Sequence, residues 1–244
     1  MIKTLYVFVL FLFVTGFARA QSMVPAWGGG ADLHDLSFGF LFQYINSDYK
    51  IVKNPGWRTP FYDTEIGRNS TDSVSSIGSK ALPGFGVGFI TRYTFTDHIE
   101  LRVTPMLVFA DRQVQYHYDT PSQDVSKAIS TTSVDFPLQV KLKSDRIGNF
   151  RMYLIGGVKY SMAINKKPVI TNLAPLDRPL LNARNFASYD VGIGCDIYFE
   201  YFKFSPELKL SNSFKDVLTH DYTPFASPIS KLFLHTISFS IYFE

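Results

Sequence analysis

Two short runs hold the residue types of a catalytic triad. His117, Asp119, Ser122 and Asp124 lie close together along the chain, and His220 precedes Asp221. A triad needs a nucleophile, a base and an orienting acid brought into mutual hydrogen-bond reach. Neighbours along one loop do not supply that geometry, and no nucleophile motif surrounds either run. Both are read as ordinary solvated loop residues, and no catalytic residue is assigned. Gly84, Gly86 and Gly88, then Gly192 and Gly194, superficially suggest a phosphate cradle. No helix pattern follows either run and no P-loop lysine accompanies them. Glycines at alternate positions more simply make room for bulky neighbours. The single cysteine, Cys195, cannot form an internal disulfide, and no Cys/His cluster has zinc spacing. No cofactor and no metal are expected.

Two other sets of residues stand out. One is an aromatic cluster, Trp57, Phe61 and Tyr62, set among Pro55 and Pro60 and followed by a Ser/Thr/Asp-rich run from Asn69 to Ser79. So long a segment is either a mobile surface loop or a binding surface whose aromatics anchor a partner protein. The other is a set of charges at alternate positions: Glu100, Arg102, Asp135, Lys141, Arg151, Lys159, Asp190, Asp196, Lys203, Glu207 and Lys209, with Asp35, Arg92 and Lys143 on the same face.

The elements that carry these charges are eight segments of period two. Their opposite faces run Leu36–Tyr44, Phe85–Phe95, Ile99–Phe109, Val134–Leu142, Phe150–Met162, Tyr189–Phe199, Phe202–Leu210 and Phe233–Phe243. No position on those faces is Asp, Glu, Lys or Arg. A soluble sandwich puts its apolar face inside. An outer-membrane barrel reverses this, because lipid solvates its outside and a lipid-facing base costs about 2–4 kcal/mol at mid-bilayer.

The spacers alternate long and short. The long ones lie near 46–84, 112–132, 165–185 and 212–230, the short ones near 96–98, 144–149 and 200–201. That rhythm predicts brief periplasmic turns and long extracellular loops, with both termini periplasmic. The expected fold is therefore all-β: an eight-stranded antiparallel up-and-down transmembrane β-barrel over residues 35–244. Such a barrel is just wide enough for its own side chains. The inward charges are expected to form a salt-bridged plug, with an ion path or small-ligand site as the alternative. Pro105, Pro137 and Pro206 interrupt the segments, and each is expected to mark a bulge or a break in pairing.

Composition agrees with this class. Charged residues are 18% of 244, below the roughly 25% of soluble domains, and aromatics reach 16%. Mean hydropathy is near zero, which argues against repeated membrane helices. A 46% apolar content argues against disorder. Residues 1–20 read as a cleaved signal peptide: Lys3, an apolar stretch, then Ala18-Arg19-Ala20. Residues 21–34 form a periplasmic lead. Cleavage lowers the formal charge from +3 to +1, which gives no hint of nucleic acid. Expected partners are outer-membrane lipid and lipopolysaccharide. The barrel-assembly machinery joins them, because Phe243-Glu244 resembles an insertion signal.

Several stretches resemble the PorT (SprT) family of the Bacteroidetes type IX secretion and gliding machinery. They are Pro83–Phe89, Glu100–Pro105, Asp111–Tyr116, Asp135–Lys141, Arg146–Tyr153 and Ile155–Tyr160. The resemblance implies a non-catalytic integral outer-membrane protein, partnered by other type IX components. It would be required for export of cargo with C-terminal sorting domains and for gliding motility in some relatives. An eight-stranded barrel is too narrow to pass a folded protein. An assembly, docking or stabilising role follows. The alternatives are a structural barrel or narrow channel unrelated to secretion, and a rim-sited outer-membrane enzyme.

Overall fold

The computed structural model describes residues 32, 34–64, 67–165, 173–174 and 176–244. The expected signal peptide at 1–20, and the lead at 21–34 apart from Asp32 and His34, lie outside the described residues. So does part of the spacer at 165–185.

The described strands are β1 (Leu36–Lys53), β2 (Tyr62–Asp63), β3 (Arg68–Asn69), β4 (Val74–Lys80), β5 (Leu82–Thr96), β6 (Ile99–Val103), β7 (Met106–Tyr118), β8 (Val125–Lys143), β9 (Phe150–Ala163), β10 (Asn185–Tyr198), β11 (Lys203–Ser213) and β12 (Ile229–Phe243). β5 pairs with β1 on one side and with β6 and β7 on the other. β6 and β7 pair in turn with β8. The ladder continues through β9, β10, β11 and β12, and β12 closes on β1. Every pairing is antiparallel. With β4 continuing β5, and β6 and β7 forming one interrupted wall, the ring has eight walls. β2 and β3 form a small hairpin outside it.

The prolines do not slip the register. Pro105 separates β6 from β7, yet Thr91 faces Val103 and Gly88 faces Met106 in one continuous alignment. The Pro105 carbonyl accepts from Phe89 N–H at 3.0 Å, so only the ladder bond that needed a proline N–H is lost. Pro137 lies within unbroken β8, facing Lys159. Pro206 leaves a gap in the β10 ladder but stays paired with Ile241 of β12. The bulges fall elsewhere, at Val52/Lys53, Val74/Ser76 and Thr94/Thr96.

Along the first nine or so residues of β1 a wholly apolar face points out, and a mixed face of Ser37, Gly39, Leu41, Gln43 and Ile45 points in. Phe89 is 71% exposed while Arg102 is 0% exposed, the reverse of a soluble protein. Aromatics cluster at the turn end of this belt, where Phe202, Phe204 and Phe243 pack together. At the other edge a polar row crosses three walls. Asp48 of β1 faces His235 of β12, and His235 Nδ1 lies 2.7 Å from Asn212 Oδ1 of β11.

Beyond that row the alternation changes sign. On β7, Leu107 and Phe109 are the outward apolar pair. Further on, Asp111, Gln113 and Gln115 point out, and Val114, Tyr116 and Tyr118 are buried inside. β1, β8 and β12 make the same exchange with Tyr49, Ile129, Leu232 and Leu234. The upper half of the molecule is thus built like a soluble barrel, with an apolar core that also takes in Leu180, Val217, Leu218 and Phe225 from the connections.

This corrects two expected loops. Both ends of 46–84 and most of 112–132 are wall: β1 runs to Lys53, β4 and β5 start at Val74 and Leu82, β7 ends at Tyr118 and β8 begins at Val125. The first connection is 54–73 and the second only 119–124. At about 3.3 Å per residue and a tilt near 40°, the 18-residue β1 and 19-residue β8 stand about 45 Å high. The apolar belt of such barrels is about 25 Å tall. The surplus is the soluble-type half.

Candidate functional site

The lumen within the belt is a stack of ion-pair layers. Period two aims alternate residues of all eight walls at one axis, so charges distant in sequence meet. At the turn end Arg92 binds Glu244, Glu100 (3.3 Å) and Asp32 (3.3 Å), while Lys203 binds Glu244 at 3.0 Å and Lys143 binds Glu100 at 3.3 Å. Arg151 lies 3.9 Å from Asp32, and Tyr198 donates to Asp32 at 2.5 Å. Burial pushes the Asp32 carboxyl up, but Lys203, Tyr198 and Arg92 outweigh it and hold the group at about 2.

The next layer pairs Lys141 with Asp196 at 2.8 Å, with Ser205 donating to Asp196 at 2.6 Å. Above it Glu207 accepts from Arg102 at 2.5 Å, Lys209 at 2.9 Å, Tyr153 at 3.0 Å and Tyr242 at 3.1 Å. Gln139 bridges Arg102 to Asp190. Lys159 then faces Asp135 at 3.6 Å and Asp190 at 3.9 Å. The structure thus brings every one of the eleven inward charges expected from sequence into this interior.

The glycines serve the packing. A Cβ on Gly192 would lie 2.6 Å from Lys209 Cγ, and one on Gly194 would lie 2.5 Å from the Tyr153 phenol. Both side chains bind Glu207, so these small residues make space for the central cluster.

A cavity of about 30 Å³ sits between Lys159 and Arg112, enough for one water molecule. Above it the apolar core blocks the axis. Phe225, carried in by the last connection, packs on Tyr116 with ring centroids 5.3 Å apart, and its carbonyl accepts the Tyr116 hydroxyl at 2.7 Å.

The aromatic residues expected to form a partner surface gather at the loop end. Trp57, Phe61 and Tyr62 line a cleft of about 580 Å³ with Asn54, Pro55, Pro60, Tyr222 and Ser227. The first and last connections are sewn together there. Asn54 Nδ2 donates to Ser227 O at 2.8 Å, Tyr222 donates to Tyr62 O at 2.8 Å, and Phe61 packs on Tyr222 at 4.8 Å. Lys53 lies 3.8 Å from the Trp57 ring centroid, and Arg58 5.0 Å.

The two triad-like runs resolve into exposed pairs. His117 Nδ1 lies 2.7 Å from Asp124. His220 pairs with Asp216 at 2.8 Å rather than with its sequence neighbour Asp221. His117 depresses the Asp124 carboxyl, and so do the Leu218 and Leu232 N–H groups and His220 for Asp216, against the upward push of burial. Among the described residues no serine hydroxyl is bonded to either imidazole; Ser75 Oγ donates to the His117 backbone carbonyl at 3.0 Å instead.

Several members of the site were not singled out from sequence. Asp32 and Glu244 lie outside the periodic segments. Tyr153 and Tyr242 sit on the inward face, where period two would have found them. Phe225 and Tyr222 lie on a connection with no local signal.

A family model described as an outer membrane protein beta-barrel domain matches residues 28–219. No curated protein matches the chain. Among solved structures it is similar to the outer membrane protein OprG of Pseudomonas aeruginosa (12% identity, TM-score 0.45, covering 84% of this chain and 93% of that one). Neisserial surface protein A is another (9%, TM-score 0.41, 86% and 98%). Ail of Yersinia pestis, in complex with the heparin analogue sucrose octasulfate, is a third (12%, TM-score 0.37, 86% and 99%).

Proposed function

The chain belongs to the outer membrane protein beta-barrel domain family, and from that premise we propose that it is a non-catalytic accessory component of type IX secretion. In this reading it supports assembly or docking of the machinery that exports proteins with C-terminal sorting domains, as the PorT-like stretches imply. The turn end faces the periplasm. The soluble-type half and its cleft face outward, where lipopolysaccharide surrounds the walls.

The observation that carries the reading is the filled lumen. Ion-pair layers and an apolar core occupy the axis, and a cavity between them holds about one water. A barrel so filled contributes its surfaces rather than a path. Its long walls lift those surfaces clear of the bilayer, and its first and last connections are tied together.

The test is a clean deletion in the native host with a complemented control, comparing secreted and periplasmic proteomes. The proposal expects sorting-domain proteins to vanish outside and accumulate in the periplasm. Normal export would overturn it.

A further inference from the structure

We propose that the loop-end cleft is a binding site for a neutral saccharide. The inference goes beyond the secretion role and does not depend on it.

The cleft of about 580 Å³ falls within the roughly 300–1,000 Å³ of small-molecule sites. None of its lining residues is charged, although Lys53 and Arg58 stand close by on the Trp57 ring. A site for an anion would turn those cations inward; here they are spent on the indole. Four prolines, Pro55, Pro60, Pro224 and Pro228, line its wall, and proline fixes its own backbone, so little ordering is left for a ligand to impose.

Aromatic surface and polar groups are combined in the way a sugar needs. Tyr62 is 51% exposed and Tyr222 60%, which leaves ring surface for the C–H face of a pyranose. Asn54 spends its amide protons on Ser227 O and Ile229 O, and its Oδ1 accepts from no described residue. The Tyr62 hydroxyl, the Ser227 hydroxyl and the Trp57 Nε1–H likewise make no hydrogen bond to described residues. The cleft therefore offers an acceptor, a donor and two hydroxyls that do either. A proline-rich peptide suits aromatic walls but brings mainly carbonyl acceptors, which leaves Asn54 Oδ1 without a donor. Sugar hydroxyls donate and accept, and match the whole set.

The test is calorimetric titration of the full-length mature barrel in a detergent without a sugar headgroup. Probes are maltotriose, mannotriose and N-acetylchitotriose, with a sulfated trisaccharide and a decaproline peptide as rivals. One-site saturation by a neutral trisaccharide is expected. Tyr62→Ala should weaken it about tenfold, and Tyr222→Ala should do the same. Tyr201→Ala, at the far end of the barrel and 83% exposed, should leave it unchanged. Each variant is first shown to keep the heat-dependent gel mobility of a folded barrel. The proposal is overturned if no neutral trisaccharide saturates by about 10 mM, if the sulfated sugar or the peptide binds more tightly, or if the Tyr62 variant binds as the wild type does.

Discussion

Glu207 has no exposed side-chain surface and is met by Arg102, Lys209, Tyr153 and Tyr242 at once. Its neutralisation strands two buried cations. Glu207→Gln should lower unfolding stability by about 3–5 kcal/mol, read from urea titrations in lipid vesicles. A loss below about 1 kcal/mol would mean that water reaches the cluster. Asp32 makes a pH-dependent prediction. Its carboxyl is held at about 2, below its ordinary 3.8. A depressed folded value means that its contribution is complete above about pH 4 and disappears as pH falls through 2. Asp32→Asn should therefore match the wild type near pH 2 and be less stable at pH 7. A difference that grows toward acid pH would contradict the assignment. The inward charges were legible because alternation alone decides which way a side chain points. Asp32 and Glu244 were not, since they join the turn-end layer from outside any periodic segment.

The walls carry their own record of the membrane edge. Within the belt, lipid selects apolar residues outside, and the pattern reads plainly. Past Asp111 on β7 and Asn46 on β1, water selects polar residues outside and the core takes the apolar ones, so the same period continues with opposite sign. A reading that follows one apolar face loses the strand there. For this reason 46–53, 112–118 and 125–132 look like loop in sequence and are wall in the structure. Pro105 and Pro206 do break the pairing, as expected, while Pro137 does not; none moves the register, because each forfeits one N–H. Gly194 of β10 tests the packing of one wall against the next. Gly194→Ala places a methyl 2.5 Å from the Tyr153 phenol and 2.8 Å from Pro206 O. It should destabilise the barrel by about 1–3 kcal/mol, in the same urea assay, through overpacking. A neutral result would show that Tyr153 is free to move.

As a whole the molecule joins two solvents. Its lower half is solvated outside by hydrocarbon and filled inside by its own ion pairs beside a small apolar cluster of Leu41, Ile45, Ile90, Met106 and Val108, and its upper half is solvated outside by water and inside by an apolar core. The belt halves of the walls and the polar filling were legible because both rest on period two. The plug and the cleft were not, because Phe225 and Tyr222 reach their places through tertiary folding of a connection. Both halves are filled, so the barrel should be sealed along its axis. Conductance of the full-length barrel in planar bilayers is the measurement that decides this. A silent membrane is expected, with no unitary steps above the lipid baseline after insertion is verified. Steady open-channel steps from the wild-type protein would contradict it and make a narrow channel the reading to pursue.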